Sequence, residues 1–360
     1  MPYFMVSQID KLKGKVKSTS EKIIFVNDSI QNYKLFSFDG DYGHGGFISP
    51  KSTIRRFNHN WYNDAIADYI NNRRNYNQKG LLISEDWFDK KNKKIASYEY
   101  QYTTFDSLSR IRKFNRFDDD RITNISYNYS NNVQSALDYW SNSSENFSLL
   151  LYQYENSIKV KEKFLNQEGI SREKLYSYNK DGLLHKIIEH KPTIWAKLDS
   201  ESYYEKKDSI GTYYCSRIKF YNDKKLLIEE NTFSQPEYNS ESQLRNKVLY
   251  VYDERGNCIE ERRSSAHSEL VSIYKKIFDG KNRVIEESHI AWNENDSSYK
   301  KEFIYNEKGE LIRLNFDYNG NVKHVDFKYK YDSYDNWVKQ TKYVDNKKMF
   351  VLRRQIEYYD

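Results

Sequence analysis

Proline is nearly missing from this 360-residue chain, with four in all, and cysteine is rarer still, with two. So few prolines suit strands that stay hydrogen-bonded almost without interruption, since proline cannot donate to a ladder. Cys215 and Cys258 have no metal-ligand spacing, and they form a disulfide only in an oxidising compartment. No stretch approaches the roughly 20 apolar residues that span a bilayer as a helix. The first 15 residues contain neither a signal-peptide apolar run nor a lipidation cysteine, so a soluble protein retained in the cell is expected, or a surface or secreted one if the chain is a mature form. Metalloprotease, nucleophile-elbow, P-loop and dinucleotide motifs are all lacking. The seven histidines are scattered. No cofactor is expected.

Apolar residues make up 38% of the chain and the mean hydropathy is -0.96, yet there are 34 tyrosines and 19 phenylalanines. Disordered chains are poor in aromatics. Tyrosine combines an apolar ring with a wet hydroxyl and suits a thin sheet with much exposed surface. The charge is +6, from 58 basic and 52 acidic residues. That near balance argues against nucleic acid as a partner.

One phrase recurs. It reads Tyr252-Asp253-Glu254-Arg255-Gly256-Asn257, then Phe278-Asp279-Gly280-Lys281, then Tyr305-Asn306-Glu307-Lys308-Gly309, then Tyr331-Asp332-Ser333-Tyr334-Asp335, at spacings of 26, 27 and 26 residues. An aromatic ends a strand, and an Asp or Asn bonds the backbone two residues on. Four places after the aromatic stands Gly, Asn or Asp, which tolerate positive φ. Ile259, Ile285, Ile312 or Val338 then begins the return strand. Each unit is a β-hairpin. The flanks alternate at period two: Ile312, Leu314, Phe316 and Tyr318 share one face, and Leu311, Arg313, Asn315 and Asp317 the other. Second turns fall at Asn293–Asp296, Asn319–Asn321 and Asp345–Lys348. Weaker units precede these from Phe88 onward, including Tyr178-Asn179 and Tyr221-Asn222.

The phrase resembles the YD repeat of the Rhs (rearrangement hotspot) family, most closely at Tyr252–Asn257, and the chain is most similar to its short, tyrosine-rich members of Bacteroidetes type. The resemblance implies a curled β-sheet. It also implies a protein partner, for instance a neutralised toxin, or a place at the cell surface.

The expected fold is all-β: a repeat array of antiparallel hairpins forming one long twisted or curled meander, with one short N-terminal helix. Residues 1–87 form an N-terminal β segment, helix and capping region, and residues 88–360 the repeats. The helix is expected over 58–79, from the stripe Trp61, Ala65, Ile66, Tyr69 and Ile70, with Gly80 as its stop and Arg73 and Arg74 at its C-terminal end. Polar insertions at 192–212 and 234–246 are expected in loops on one face.

Three readings of function follow. The first is a non-enzymatic binding or scaffold protein that offers its sheet to a protein partner. The second is a hydrolase-type site at the glycine-rich loop 40–46, where Asp41 and His44 sit among backbone N–H groups; the same loop also reads as a plain hairpin turn. The third is carbohydrate binding on exposed aromatics, for which Trp195, Trp292 and Trp337 are the candidates. The acid pairs Glu229-Glu230, Glu260-Glu261 and Glu286-Glu287 recur at one repeat position, which marks them as structural before catalytic.

Overall fold

In the computed structural model the described residues are 12–26, 32–34, 66–68, 71–88, 92–104, 108–115, 121–129, 133–140, 147–166, 169–197, 203–235, 242–266, 269–292 and 298–360. All of their regular structure is β. The strands are β1 (Val16–Phe25), β2 (Asn32–Lys34), β3 (Ile66–Asp68), β4 (Asn72–Tyr76), β5 (Leu82–Phe88), β6 (Lys94–Tyr102), β7 (Leu108–Asn115), β8 (Arg121–Tyr129), β9 (Val133–Trp140), β10 (Phe147–Glu155), β11 (Ile158–Asn166) and β12 (Gly169–Tyr178). They continue as β13 (Leu184–Lys197), β14 (Tyr203–Tyr221), β15 (Leu227–Phe233), β16 (Leu244–Tyr252), β17 (Cys258–Ser265), β18 (Leu270–Phe278), β19 (Val284–Ala291), β20 (Tyr299–Tyr305), β21 (Leu311–Tyr318), β22 (Asn321–Tyr331), β23 (Trp337–Val344) and β24 (Lys347–Tyr358).

From β4 to β24 each strand pairs antiparallel with the next, which is the expected meander. Strand β1 then pairs with β24 along one side and with β4 along the other. Every one of these 22 strands therefore has a hydrogen-bonded neighbour on both sides, and the ladder returns on itself with no free edge. Exposed edges invite addition of foreign strands, and this pairing removes them. Strands β2 and β3 form a separate parallel pair.

The phrase explains each hairpin. The residue after the aromatic folds its side chain over the turn: Asp253 Oδ1 accepts from the backbone N–H of Arg255 at 3.0 Å and of Asn257 at 2.8 Å. Asp279, Asp332, Asn77 and Asn179 do the same in their own turns. The fourth residue after the aromatic has positive φ, at Gly256 (84°) and Gly309 (87°) and also at Lys225 (62°), Asn282 (58°) and Asp335 (66°). Two residues later comes a register shift. Val251 pairs with Glu260 and Tyr252 with Cys258, so Ile259 is the extra residue of a β-bulge. The same step skips Ile285, Ile312 and Val338, so these residues sit in bulges and do not simply begin strands.

The bulge corrects the period-two reading of β21. Leu311 is buried together with Leu314 and Phe316, although plain alternation sets it on the opposite face. One extra residue shifts the phase, and Leu311 joins a core cluster of Phe303, Leu314, Val325, Phe327 and Val344. The turns at the other ends of the strands are tighter. Asn319 and Gly320, and Asp345 and Asn346, are two-residue loops with both residues at positive φ, matching the primed turns that fit strand twist. The turn expected at 293–296 lies outside the described residues.

No helix occurs among the described residues of 58–79. Ile66–Asp68 and Asn72–Tyr76 are strands, and Asn77–Gly80 is a phrase turn with Gly80 at φ 79°. Tyr76-Asn77-Gln78-Lys79-Gly80 is the repeat phrase itself, so Gly80 serves a hairpin and not a helix stop. β4 gains ladders on both sides, and Arg74, expected near a helix end, is buried between Glu85 and Glu21. Satisfied backbone and a paired charge outweigh a local apolar stripe. Trp61, Ala65, Tyr69 and Ile70 of the expected stripe lie outside the described residues.

Candidate interaction surface

Strand alternation gives the sheet two unlike faces between β14 and β21. One is the buried face, where the phrase tyrosines point. Its hydroxyls have a repeating duty: Tyr252 donates to the carbonyl of Leu227 at 2.8 Å, Tyr221 to Leu184 at 2.8 Å, and Tyr305 to Val284 at 3.0 Å. Each acceptor stands beside the bulge of the preceding phrase. Further along the strands this face continues as an aromatic row, with Tyr274 stacked on His289 at 4.2 Å and His289 5.5 Å from Tyr299.

On the open face, the residue just before each phrase aromatic is apolar. Phe220, Val251, Ile277 and Ile304 are 40%, 42%, 49% and 44% exposed, and the bulge residue Ile228 adds to them at 37%. Their strands, β14 to β20, are successive neighbours, so the stripe crosses six strand spacings, about 29 Å. At its centre Val251, Ile259 and Ile277 line a groove of about 480 Å³ whose rim includes Glu260, Lys275 and Glu286.

Beside the stripe runs a row of paired charges. Lys247 lies 2.9 Å from Glu229, Lys275 3.4 Å from Glu260 and Lys300 3.1 Å from Glu286. Burial pushes the Glu260 carboxyl up, but Arg262 and Lys275 outweigh it and hold the group below its ordinary range. Glu286 and Glu302 together raise Lys300. Exposed pairs of this kind add little stability but keep the row charged and the stripe narrow. Neither face is an unbroken apolar band, since the buried face has its own pairs, Glu230 with Lys219 at 3.0 Å and Glu261 with Arg263. Among the described residues no helix is long and apolar enough to cross a membrane.

The acid pairs Glu229-Glu230, Glu260-Glu261 and Glu286-Glu287 are split by alternation, one of each pair on either face. All six have a cation within 4 Å: the five named above and Lys301 for Glu287, at 3.9 Å.

The sequence candidates do not converge. Asp41 and His44 lie outside the described residues. Trp195 is in β13, paired with Glu205 of β14. Trp292 is 54% exposed, beside Ile290 at the far end of the open face from the stripe. Trp337 lies on the buried face under the Arg354 guanidinium, 3.5 Å from its ring centre. The insertion at 192–212 is for the most part a prolongation of the β13–β14 hairpin, with Thr193 through Lys197 paired to Lys207 through Tyr203, and not an irregular loop. The segment at 234–246 closes at its base through Ser234 N donating to Gln243 O at 2.8 Å. Both cysteines are free.

The stripe left a signal that the phrase reading passed over. The position before the aromatic is Phe, Val, Ile and Ile in successive hairpins, where alternation on a solvated face calls for polar residues.

No protein-family model matches the chain, and no curated protein does. Among solved structures, the chain is similar to the Photorhabdus luminescens Tc holotoxin pore at 9% identity and TM-score 0.40, covering 78% of this chain and 16% of that one. It is similar to a TcdB2-TccC3-TEV crystal structure at 12% identity and TM-score 0.31, covering 79% and 17%. A porin-like protein from Bacteroides uniformis matches at 6% identity and TM-score 0.26, over 96% of this chain and 98% of that one. The chain thus spans less than a fifth of the toxin chains it resembles.

Proposed function

We propose that the protein is a non-catalytic binding or scaffold protein of Rhs/YD-repeat type, and that a protein partner seats on the open face along Phe220, Ile228, Val251, Ile277 and Ile304. One observation carries the reading: five large apolar side chains, each more than a third exposed, lie on neighbouring strands of one face. Scattered exposed apolar residues are ordinary, whereas an aligned set rimmed by charge marks an interaction site. The groove at Val251 and Ile277 takes an apolar anchor of the partner, and the Glu–Lys row forms the polar rim around it.

The test is a pulldown from the source organism with the wild-type chain and with the double variant Val251→Glu, Ile277→Glu. A specific protein is recovered by the wild type and lost, at least tenfold, with the variant, while thermal unfolding stays unchanged. Equal recovery by both overturns the assignment of the stripe. A glycan in place of a protein is favoured by the exposed Trp292 alone. Trp292→Ala then abolishes polysaccharide retention and leaves the Val251, Ile277 pair without effect.

A further inference from the structure

The hairpin of β21 and β22 closes on the only Asn–Gly step in the chain, Asn319-Gly320. Tyr318 pairs with Asn321, so these two residues are the whole loop. Both are exposed, and both are at positive φ, 50° and 81°. Two further described loops have the same form: Asn156-Ser157, at 49° and 66°, and Asp345-Asn346, at 48° and 65°. In neither does glycine follow asparagine.

Glycine has no Cβ to shield its backbone nitrogen, and nothing stands within 4 Å of the place a Cβ of Gly320 would take. Among the described residues the Asn319 amide is bonded to nothing. The asparagines of the phrase turns are held instead. Asn77 Oδ1 and Asn179 Oδ1 each accept from two backbone N–H groups, and Asn306 Nδ2 donates to Glu310 at 2.9 Å. One restraint acts on the loop itself: the Gly320 N–H donates to Asp317 Oδ1 at 2.8 Å. A backbone nitrogen becomes a nucleophile only as it gives up its proton. A carboxylate in hydrogen-bond contact holds that proton in place and opposes the negative charge that develops on the nitrogen.

We propose that Asn319 is a site of spontaneous covalent modification, converting to aspartate and isoaspartate, and that Asp317 is the latch that sets its rate. The Gly320 nitrogen bonds to Asn319 Cγ, the bond from Cγ to its amide nitrogen breaks, and ammonia leaves with the proton that Gly320 gave up. Water then opens the five-membered imide at one carbonyl or the other. Either product puts a new negative charge two residues from Asp317. Isoaspartate also routes the main chain through its Cβ and so lengthens a loop that the pairing of Tyr318 with Asn321 fixes at two residues. The two strands of this hairpin carry Leu314 and Val325, which pair with each other and are fully buried in the core cluster. The modification therefore loosens β21 and β22 with time, and the latch delays it.

The test ages the folded full-length chain at neutral pH and samples it over weeks. Trypsin cuts after Arg313 and Lys323, and fragmentation of the peptide between them locates aspartate and isoaspartate by residue. Asn156, in the same kind of loop but followed by serine, is the internal reference. Conversion at Asn319 is expected to outpace Asn156 at least tenfold and to lead every other asparagine. Equal rates at the two, or a phrase asparagine converting first, overturn the site. Asp317→Ala is expected to raise the ratio of Asn319 to Asn156 conversion at least threefold. An unchanged ratio overturns the latch, and a lowered one shows that the carboxylate draws the proton off instead. Should Asp317→Ala fail to fold, Asp317→Val, which suits a strand, is read the same way, and the wild-type comparison needs no variant. Amide exchange in β21 and β22 is expected to be faster in the isoaspartate fraction than in the unmodified one, and equal exchange overturns the loosening.

Discussion

The hydroxyl of Tyr252 lies 2.8 Å from the carbonyl oxygen of Leu227, one hairpin earlier in the chain. That bond gives the tyrosine of the phrase a purpose its ring alone does not. Leu227 borders the β-bulge of the preceding hairpin, where the ladder is locally disrupted. The next unit caps this carbonyl with its own tyrosine, so the units are joined by a side chain as well as by strand pairing. Tyr252→Phe is expected to cost about 1 kcal/mol, the worth of one partly buried hydrogen bond, read as a lower urea midpoint at unchanged slope. The converse exists at position 278, where phenylalanine has no hydroxyl to offer Cys258. Phe278→Tyr is expected to gain a similar amount, and a loss instead would show that the bulge carbonyl needs no cap.

The turns make a second prediction. Lys225 holds φ at 62° in a position that other units fill with glycine. Left-handed backbone costs a side-chain-bearing residue about 1 kcal/mol, so Lys225→Gly is expected to stabilise by that order. Gly256→Ala is expected to destabilise by as much and no more, because a Cβ there meets nothing within 4 Å. Gly14 has the same positive φ, but its Cβ would press on Tyr334 and Tyr358 at 3.0 Å. Gly14→Ala is expected to cost more than Gly256→Ala in the same denaturation series.

Stability is expected to fall at both ends of the pH scale. The side-chain bond from Asn257 holds Asp253 below its ordinary 3.8, and backbone bonding from Arg283 does the same for Asp279. Carboxyls depressed in the fold contribute above the unfolded value, so their share is lost as pH drops through and below about 4. Tyrosines behave oppositely. Burial pushes Tyr102, Tyr250, Tyr331 and Tyr358 from 10 up to about 12. Their share is complete below pH 10 and lost as pH rises from 10 towards 12. Thermal melts across pH, with tyrosinate absorbance followed in parallel, check both limbs. Ionisation of all tyrosines at pH 10 without loss of structure would contradict the alkaline limb.

The hairpins were legible in the sequence because their chemistry is local. The Asp or Asn that closes each turn, the residue at positive φ and the aromatic all lie within five positions of one another. What misled was also local. The stripe from Trp61 to Ile70 has helical spacing, yet the phrase at Tyr76-Asn77 to Gly80, read as one more unit, places Asn72–Tyr76 in a strand. The face of Leu311 was hidden by a bulge that breaks strict alternation without any marker residue of its own. The return of the ladder through β1 could not be read at all. Glu21 and Arg354 are 333 positions apart, and nothing in either segment points to the other.

That distant pair supports the last prediction. Glu21, Arg74, Glu85 and Arg354 are almost fully buried, with side-chain exposures of 0 to 3%. Their charges cancel, and Trp87 Nε1 donates to Glu85 at 2.7 Å. Burial alone would raise the Glu21 carboxyl, but Arg354 and Arg74 outweigh it and keep the group ionised. Breaking one member of such a set costs about 3–5 kcal/mol, because the survivor stays buried without its counter-charge. Glu21→Ala is therefore expected to lower the urea midpoint far more than truncating an exposed pair member such as Lys300. It should also raise amide exchange selectively in β1, β4 and β24, because Glu21 pairs with Arg354 of β24 and with Asn72 of β4 in the two ladders that β1 joins. The hairpins from β15 to β21 keep their own turns and tyrosine caps and should exchange as in the wild type. Uniform loss of protection along the chain would mean that the ring opens as a single unit and that the repeats do not stand by their neighbours alone.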